Sequence, residues 1–478
     1  MKPCSYRDKV VHNDILRATK SVVVRYRRVM RARVDLLNDP IDSSLRLFAV
    51  PMAFSFLVNM IYSLIDRYYV SRLGDAAIAA IGSSDTVAFV VFTLASGFGV
   101  GTGIIVSRRF GEGNLAEASR TATQAMVGMA FLGGIITTAL YLALPLLPSI
   151  LRMQPDVAPL AMDYMGALFI GFAANVMNFQ MFAIIRSMGN AVFPMVVLLS
   201  TTVVNAAIAP LLIFGFGPIP ALGMTGAGLA TASAQIFGTI IALTAFAQGK
   251  AGLSVDFSNF RLDLDLLLKV ARQGFPASLQ MLSVALNRIF IFSIVGGFGT
   301  SVVAAYTLGL NVDMLVFMCV FAMGMAVEVA TGQNLGAGKE HRVWGFHRSA
   351  AKQMIVLMST LAIVVWIAGT WFIELYTTTP QTVSEATTYF HTSVFGYVFF
   401  AVGLVTVRVI SGAGAAVLSM TITAGTLLGL QLPLAWILSH LTPLKQHGVW
   451  IALAAGYLIF CVVAILVLRS KIWLRTKV

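Results

Sequence analysis

The sequence predicts an all-α polytopic membrane protein with twelve transmembrane helices, arranged as two six-helix bundles related by a pseudo-two-fold axis along the membrane normal. Three observations predict it. First, the 478 residues are 58% hydrophobic and only 11% charged, against about 25% charged in an average soluble protein. Such a chain cannot cover a globular surface with water-compatible groups, which excludes a soluble enzyme. Second, the runs Thr86–Ser107, Thr121–Leu151, Tyr164–Ile185, Gln353–Ile373, Ala386–Val407 and Gln446–Leu468 carry no charge. Each reaches the ~20 residues that cross a bilayer core as a helix. Gly and Pro content within long runs, rather than short alternating segments, argues for helices and against barrel strands. Third, the chain repeats itself without gaps at one constant offset: Pro51 pairs with Pro276, Leu57 with Leu282, Gly74 with Gly299, Gly111 with Gly336, Gly189 with Gly414 and Met195 with Met420.

Taken in order, the expected spans are 44–70, 77–107, 121–147, 157–185, 191–214 and 223–248, then 264–297, 302–331, 350–376, 385–410, 416–440 and 447–469. The charge-free runs anchor the second, third, fourth, ninth, tenth and twelfth. Ser187–Gly249 is uncharged throughout, too long for one span, and its GFGPIPALG segment must divide it into the fifth and sixth. The Gly-rich Ser411–Ala416 separates the tenth from the eleventh. The seventh and eighth repeat the first and second. The chain thus divides into a basic extension 1–43, a six-span lobe 44–249, a linker 250–263, a second lobe 264–470 and a basic tail 471–478.

Twelve spans put both termini on one side. Of the 33 Lys and Arg, 28 fall on that side and three opposite, leaving Arg67 and Arg288 at membrane depth. By the positive-inside rule both termini are expected in the cytoplasm, the chain lying in the plasma (inner) membrane. The net charge of +13 is then a product of topology, with attraction to anionic membrane lipids following from it, and no nucleic-acid partner is needed to explain it. In the extension, Val22–Met30 mixes Val with Arg25, Arg27 and Arg28, which suits an amphipathic surface helix or a solvated tail. No signal peptide is visible, because the first apolar run begins near Leu45. Cys4, Cys319 and Cys461 are scattered and suggest neither a disulfide framework nor a metal cluster.

Six spans per half, an even number, orient both halves alike and place a cavity between them near the midplane, as alternating access requires. No HExxH, Ser/His or paired-Asp arrangement supports an intramembrane protease. The ordered motifs are similar to those of multidrug and toxin extrusion (MATE) transporters: LFAVPMAFSFLVNMIYSLIDRYYVSRLGD, GVGTGIIVSRRFGEGNLAEASR, IIRSMGNAVFPM and ALGMTGAGLATASAQ, echoed by QGFPASLQ, ATGQNLGAGK and SGAGAAVLSM in the second half. The resemblance covers roughly residues 44–470. It implies a secondary active exporter, an antiporter moving small amphipathic or cationic compounds in multidrug efflux. It implies a proton or sodium ion as coupling ion; no cofactor is expected, and a monomer is the expected state. The family's N-terminal-lobe cation site maps onto Asp66, Asn205 and Thr231. One carboxylate of that site is missing, since Ala209 stands one turn after Asn205. A second family branch carries acids in the seventh and tenth helices; Gln273–Thr300 and Ala386–Val407 contain none.

An ionisable residue inside a span is costly and is a functional hypothesis by default. Asp66 heads this set. Its neighbour Arg67 projects about 100° away around the helix, which makes a poor i,i+1 pair. Asp85, near the start of the second span, is expected to stabilise a helix N-terminus. Arg288 and Asp313 lie on successive spans and suit a buried pair, or a role with Glu328 in lining the substrate cavity. Glu328 is also close enough to the membrane edge to be solvated. His391 suits hydrogen-bonded packing. Phe172 and Phe179 have the spacing of a cavity wall, although a core or lipid-facing place is the commoner fate. The competing readings are a lipid-linked oligosaccharide flippase and a non-transporting receptor or scaffold of the same fold. Of the coupling ions, the proton is favoured: sodium needs several oxygen ligands, whereas a proton needs one exchangeable carboxylate.

Overall fold

The structure, a computed structural model, describes residues 33–218, 220–249, 252–253 and 260–476. The Val22–Met30 stretch and Cys4 lie outside them. The first lobe comprises α1 (Ile41–Ser71), α2 (Asp75–Gly111), α3 (Leu115–Ala143), α4 (Val157–Ile170), α5 (Phe172–Ser187), α6 (Val192–Phe214) and α7 (Gly223–Ala247). The second comprises α8 (Leu264–Gly296), α9 (Thr300–Gly336), α10 (Glu340–Glu374), α11 (Pro380–Gly412), α12 (Ala416–Thr426), α13 (Leu432–His440) and α14 (Gln446–Arg469). Among the described residues, eleven helical stretches are long and apolar enough to cross a membrane, and the α4–α5 pair, bent by 48°, makes a twelfth when taken as one span.

Helix bounds exceed the expected spans where polar sequence continues the helix beyond the apolar core. Hydropathy starts the ninth span at residue 350, yet α10 starts at Glu340. At about 1.5 Å per residue, the 37 residues of α2 and of α9 run to about 55 Å, well past a hydrocarbon core of about 30 Å. The third helix ends earlier than expected, at Ala143, where Pro145 converts the chain to a 3-10 turn, Leu144–Leu146. The fourth span bends at Gly171, where a Cβ would lie 2.5 Å from Ala232 Cα of α7. The eleventh carries a π-turn at Leu427–Gln431.

The internal repeat is visible in the helix bounds. α2 and α9 start and stop at positions separated by the same offset as Pro51 and Pro276. Each is preceded by a glycine in the same left-handed conformation, Gly74 at φ 108° and Gly299 at φ 103°, which side chains disfavour. The lobes meet through two equivalent pairs, α2 against α8 and α1 against α9. On the axis itself α2 crosses α9: a Cβ on Gly111 would lie 1.9 Å from the Gln333 carbonyl oxygen, and one on Gly336 would lie 2.1 Å from that of Arg108. Only bare backbone fits such a crossing, the small-residue contact typical of membrane helices.

At this crossing the Gln333 side chain donates to the Ser187 carbonyl at 2.7 Å, tying the lobes together. A ribbon preceding α1 runs over the same face, here termed the basic face. From the first lobe it receives Gly189, whose carbonyl accepts from Val34 N–H at 3.0 Å, and Phe110, over which Arg33 stacks at 4.0 Å. From the second, Asn334 donates to the Leu36 carbonyl at 3.1 Å, Lys339 to that of Leu37 at 3.1 Å and Arg342 to that of Asp39 at 2.7 Å. Leu36 is completely buried beneath it.

Candidate functional site

Between the lobes lies a cavity of about 440 Å³, walled chiefly by α1, α2, α4, α5 and α7 of the first lobe, with α9 and α11 contributing from the second. Its wall is aromatic: Phe56, Phe92, Phe172, Phe179 and Phe321 all face it. Phe172 and Phe179, for which a core or lipid-facing place is the commoner expectation, are therefore wall residues. The bend at Gly171 directs α5 along the cavity.

Away from the basic face, α1 brings Asp66 to the wall, 6% exposed. Thr231 on α7 donates from Oγ1 to Asp66 Oδ2 at 3.2 Å, and Asn205 on α6, behind it, donates from Nδ2 to Thr231 Oγ1 at 3.4 Å. The three residues expected to share a site are thus brought into one chain of contacts. Asp66 Oδ1, Asn205 Oδ1 and the Tyr62 hydroxyl are buried there without a protein hydrogen-bond partner. Ala209, wholly buried, occupies the next turn of α6. Orphaned oxygens of this kind are costly unless something arrives to satisfy them, so the group has the chemistry to take a proton or a small cation.

Arg67 is not the partner of Asp66. Its guanidinium pairs instead with Asp85 at 3.0 Å, and both side chains are well exposed, at 55% and 42%. Asp85 stands well inside α2, almost three turns from its start at Asp75, so the expected role at a helix N-terminus gives way to an ion pair at the cavity's open end.

Toward the basic face the polar groups are buried. Arg408 Nη1 lies 3.2 Å from Glu328 Oε2, with side chains only 4% and 10% exposed, and the Ser411 hydroxyl donates to Glu328 Oε1 at 2.5 Å. Glu328 lines the cavity and is 8% exposed. Arg186, at the end of α5, faces the same end, over the Phe179 ring at 5.7 Å.

The family model described as MatE matches residues 51–211 and again 276–437, which is most of the chain and the same repeat. The chain belongs to the MatE family. It is a transporter, not an enzyme, and a multi-pass membrane protein. It is 26% identical over 421 residues to a probable multidrug resistance protein, YoeA, of Bacillus subtilis, covering 87% of this chain and 90% of that one. It is 28% identical over 464 residues to a probable multidrug resistance protein, NorM, of Bradyrhizobium diazoefficiens, covering 92% and 95%. Among solved structures, a MOP superfamily transporter from Pyrococcus furiosus matches with a TM-score of 0.85 at 24% identity, over 93% of this chain and 99% of that one.

Elsewhere in this MatE chain two expected cavity residues lie off the cavity wall, and the buried pair expected between them is absent. Both oxygens of Asp313 are taken by hydroxyls of α11, Tyr389 donating to Oδ2 at 2.5 Å and Tyr397 to Oδ1 at 2.9 Å. The Arg288 guanidinium points instead to the Met314 sulfur at 3.5 Å. Two neutral donors on one face of α11 satisfy the carboxylate without stripping water from a guanidinium, the larger cost in a buried pair. His391 stacks on Trp366, ring centres 4.2 Å apart, as packing predicts. Sequence reasoning missed Tyr62, whose signal was the i−4 spacing from Asp66 on α1. It also missed Arg186 and Arg408, which fell among the 28 Lys and Arg assigned to the side of the termini.

Proposed function

We propose that this MatE protein is a secondary active antiporter that exports small amphipathic compounds by alternating access, with a proton as the coupling ion. The observation that carries the reading is the Asp66–Thr231–Asn205 chain set into the wall of an aromatic cavity. A cavity of this size and lining suits a small amphipathic molecule, and the curated relatives named above are multidrug resistance proteins.

The preference for a proton over sodium rests on counting. The site has one carboxylate, and Ala209 supplies no ligand where the family pattern has a second. Asp66 Oδ1 and Asn205 Oδ1 are acceptors without donors; a proton on Asp66 needs no further oxygen ligand, whereas sodium would use both oxygens and need several more. Loading and release of that proton, on opposite sides of the membrane, would bias which face the cavity opens to. The two lobes, read as 44–249 and 264–470, then rock about the α2–α9 crossing. Cavity and proton site are complete within one chain, which fits a monomer. The charge count supports a basic face turned to the cytoplasm at the plasma membrane, where the flanking arginines and lysines would meet anionic lipid.

The test is efflux from proteoliposomes under imposed gradients. Export of a fluorescent amphipathic cation such as ethidium should follow a pH gradient at constant sodium. Export that follows sodium at constant pH, and ignores the pH gradient, overturns the proton assignment.

A further inference from the structure

At the basic end of the cavity the charges do not balance. Among the described residues Glu328 is the one acid lining that end, and both of its oxygens are engaged, one by Arg408 and one by Ser411. Arg186 forms no ion pair with any described residue, and its Nη2 is buried without a hydrogen-bond partner. The Nε of Arg408 is buried and unpartnered as well. A guanidinium carries five donors in a planar fork that matches a carboxylate. Leaving such a group unsatisfied in an apolar wall is expensive, and an arriving anion removes the penalty.

The surroundings fit an amphipathic guest. Phe179, Phe182 and Phe321 flank the two arginines within the cavity, and a recess of about 30 Å³ continues past Arg186 beside Gly99 and Gly103. The opposite end of the cavity carries Asp66, Asp85 and Arg67. The cavity is therefore polarised, with an acidic excess at its open end and a basic excess at its sealed end.

We propose that Arg186 is an anion subsite, which takes the carboxylate of an amphipathic aromatic substrate whose ring system lies on the phenylalanines. This rests on the exporter reading for the word substrate, but binding at equilibrium tests it without any gradient. The probes are dansyl-glycine and its methyl ester, identical except for the charge, titrated by fluorescence against the full chain purified in detergent. Wild type should bind the acid about tenfold more tightly than the ester, the size of one charge-assisted interaction. Arg186→Gln should bring the acid down to the ester's affinity and leave the ester unchanged, while Arg186→Lys, which keeps the charge and loses the fork, should retain part of the preference. If Arg186→Gln does not elute as a single species, the acid-to-ester ratio in Arg186→Lys decides. Equal binding of acid and ester to wild type, no binding of either, or an equal loss for both in the variant overturns the subsite. An Arg186-dependent preference for the acid, with no gradient-driven export of either probe, leaves the subsite standing and overturns the exporter reading instead.

Discussion

Near the end of α1 in the first lobe, Asp66 sits against Thr231 and Asn205 with Tyr62 one turn away. At the matching places of the second lobe, by the offset that relates Pro51 to Pro276, stand Ile291, Gly456, Leu430 and Asn287. There the space is closed by Gln431, which the π-turn swings inward: it donates to the Leu453 carbonyl at 3.0 Å and accepts from Asn287 at 2.9 Å. A Cβ on Gly456 would lie 2.4 Å from the Gln431 side chain, so the small residue and the amide fit as a pair. One lobe keeps three unsatisfied oxygens, one of them a carboxylate's, beside the cavity; the other fills the matching place with two neutral amides bonded to each other, leaving Asn287 Oδ1 as the one oxygen of that pair without a partner. The second lobe has its own acid, Asp313, but holds it off the cavity wall between two hydroxyls. Duplication preserved the backbone and let the buried polar chemistry diverge, so equivalent positions cannot be assigned equivalent roles.

The sharpest test of that contrast compares the two acids. Asp66→Asn should abolish gradient-driven export, a loss of at least about a hundredfold if the one exchangeable carboxylate is removed, with the protein still eluting as wild type. Asp313→Asn should leave export within about threefold, because its oxygens face tyrosines and not the cavity. Comparable losses in both would break the comparison.

Next in size is the pair at the sealed end. Arg408→Ala leaves Glu328 buried without its cation and should cost about 3–5 kcal/mol of stability, read as a fall in melting temperature. Arg408→Met with Glu328→Gln should recover most of it. Equal destabilisation by single and double changes contradicts a coupled pair.

Smaller still, Tyr389→Phe and Tyr397→Phe each remove one donor from Asp313 and should cost about 1–3 kcal/mol. Arg288→Ala should stay within about 0.5 kcal/mol, and combining it with Asp313→Ala should be additive in denaturation. A coupling between these two would restore the pair that the structure does not show.

The smallest effect falls on the ribbon that touches both lobes. Burial works to raise the Asp35 carboxyl, but hydrogen bonds from the Asn38 side chain and the Leu37 and Asn38 amides outweigh it and hold the group below its ordinary value. A depressed carboxyl contributes stability above its unfolded value, about 3.9, and loses that contribution as pH falls through the folded value. Limited proteolysis at residues 35–38 should therefore be unchanged from about pH 8 to 5 and quicken only on the acid side of about pH 4, and Asp35→Asn should remove that step.

The architecture was legible because it is written in long-range periodicities: apolar runs, a constant offset and a lopsided distribution of Lys and Arg. The Asp66 triad was legible through resemblance, which reached Asn205 and Thr231, on helices far along the chain from α1, where spacing alone had no purchase. What resisted reading was pairing. Arg67 had two acids in range and took the one on the next helix. Asp313 took tyrosines from α11 instead of the arginine on its neighbour. Such choices depend on rotamers and helix rotation, to which hydropathy is blind.

The ribbon over the basic face has a practical consequence. It is bonded to Gly189 on one lobe and to Asn334, Lys339 and Arg342 on the other, so the lobes cannot part there while it keeps hold of both. Separation must bare either the Val34 amide or the Lys339 amine. Local opening of this kind is visible to hydrogen exchange, and a lysine-modifying reagent reads the second outcome. If the protein works by the alternating access proposed above, a stretch of chain with no place in the cavity is an intrinsic gauge of which way the molecule faces, readable with no substrate, label or gradient present.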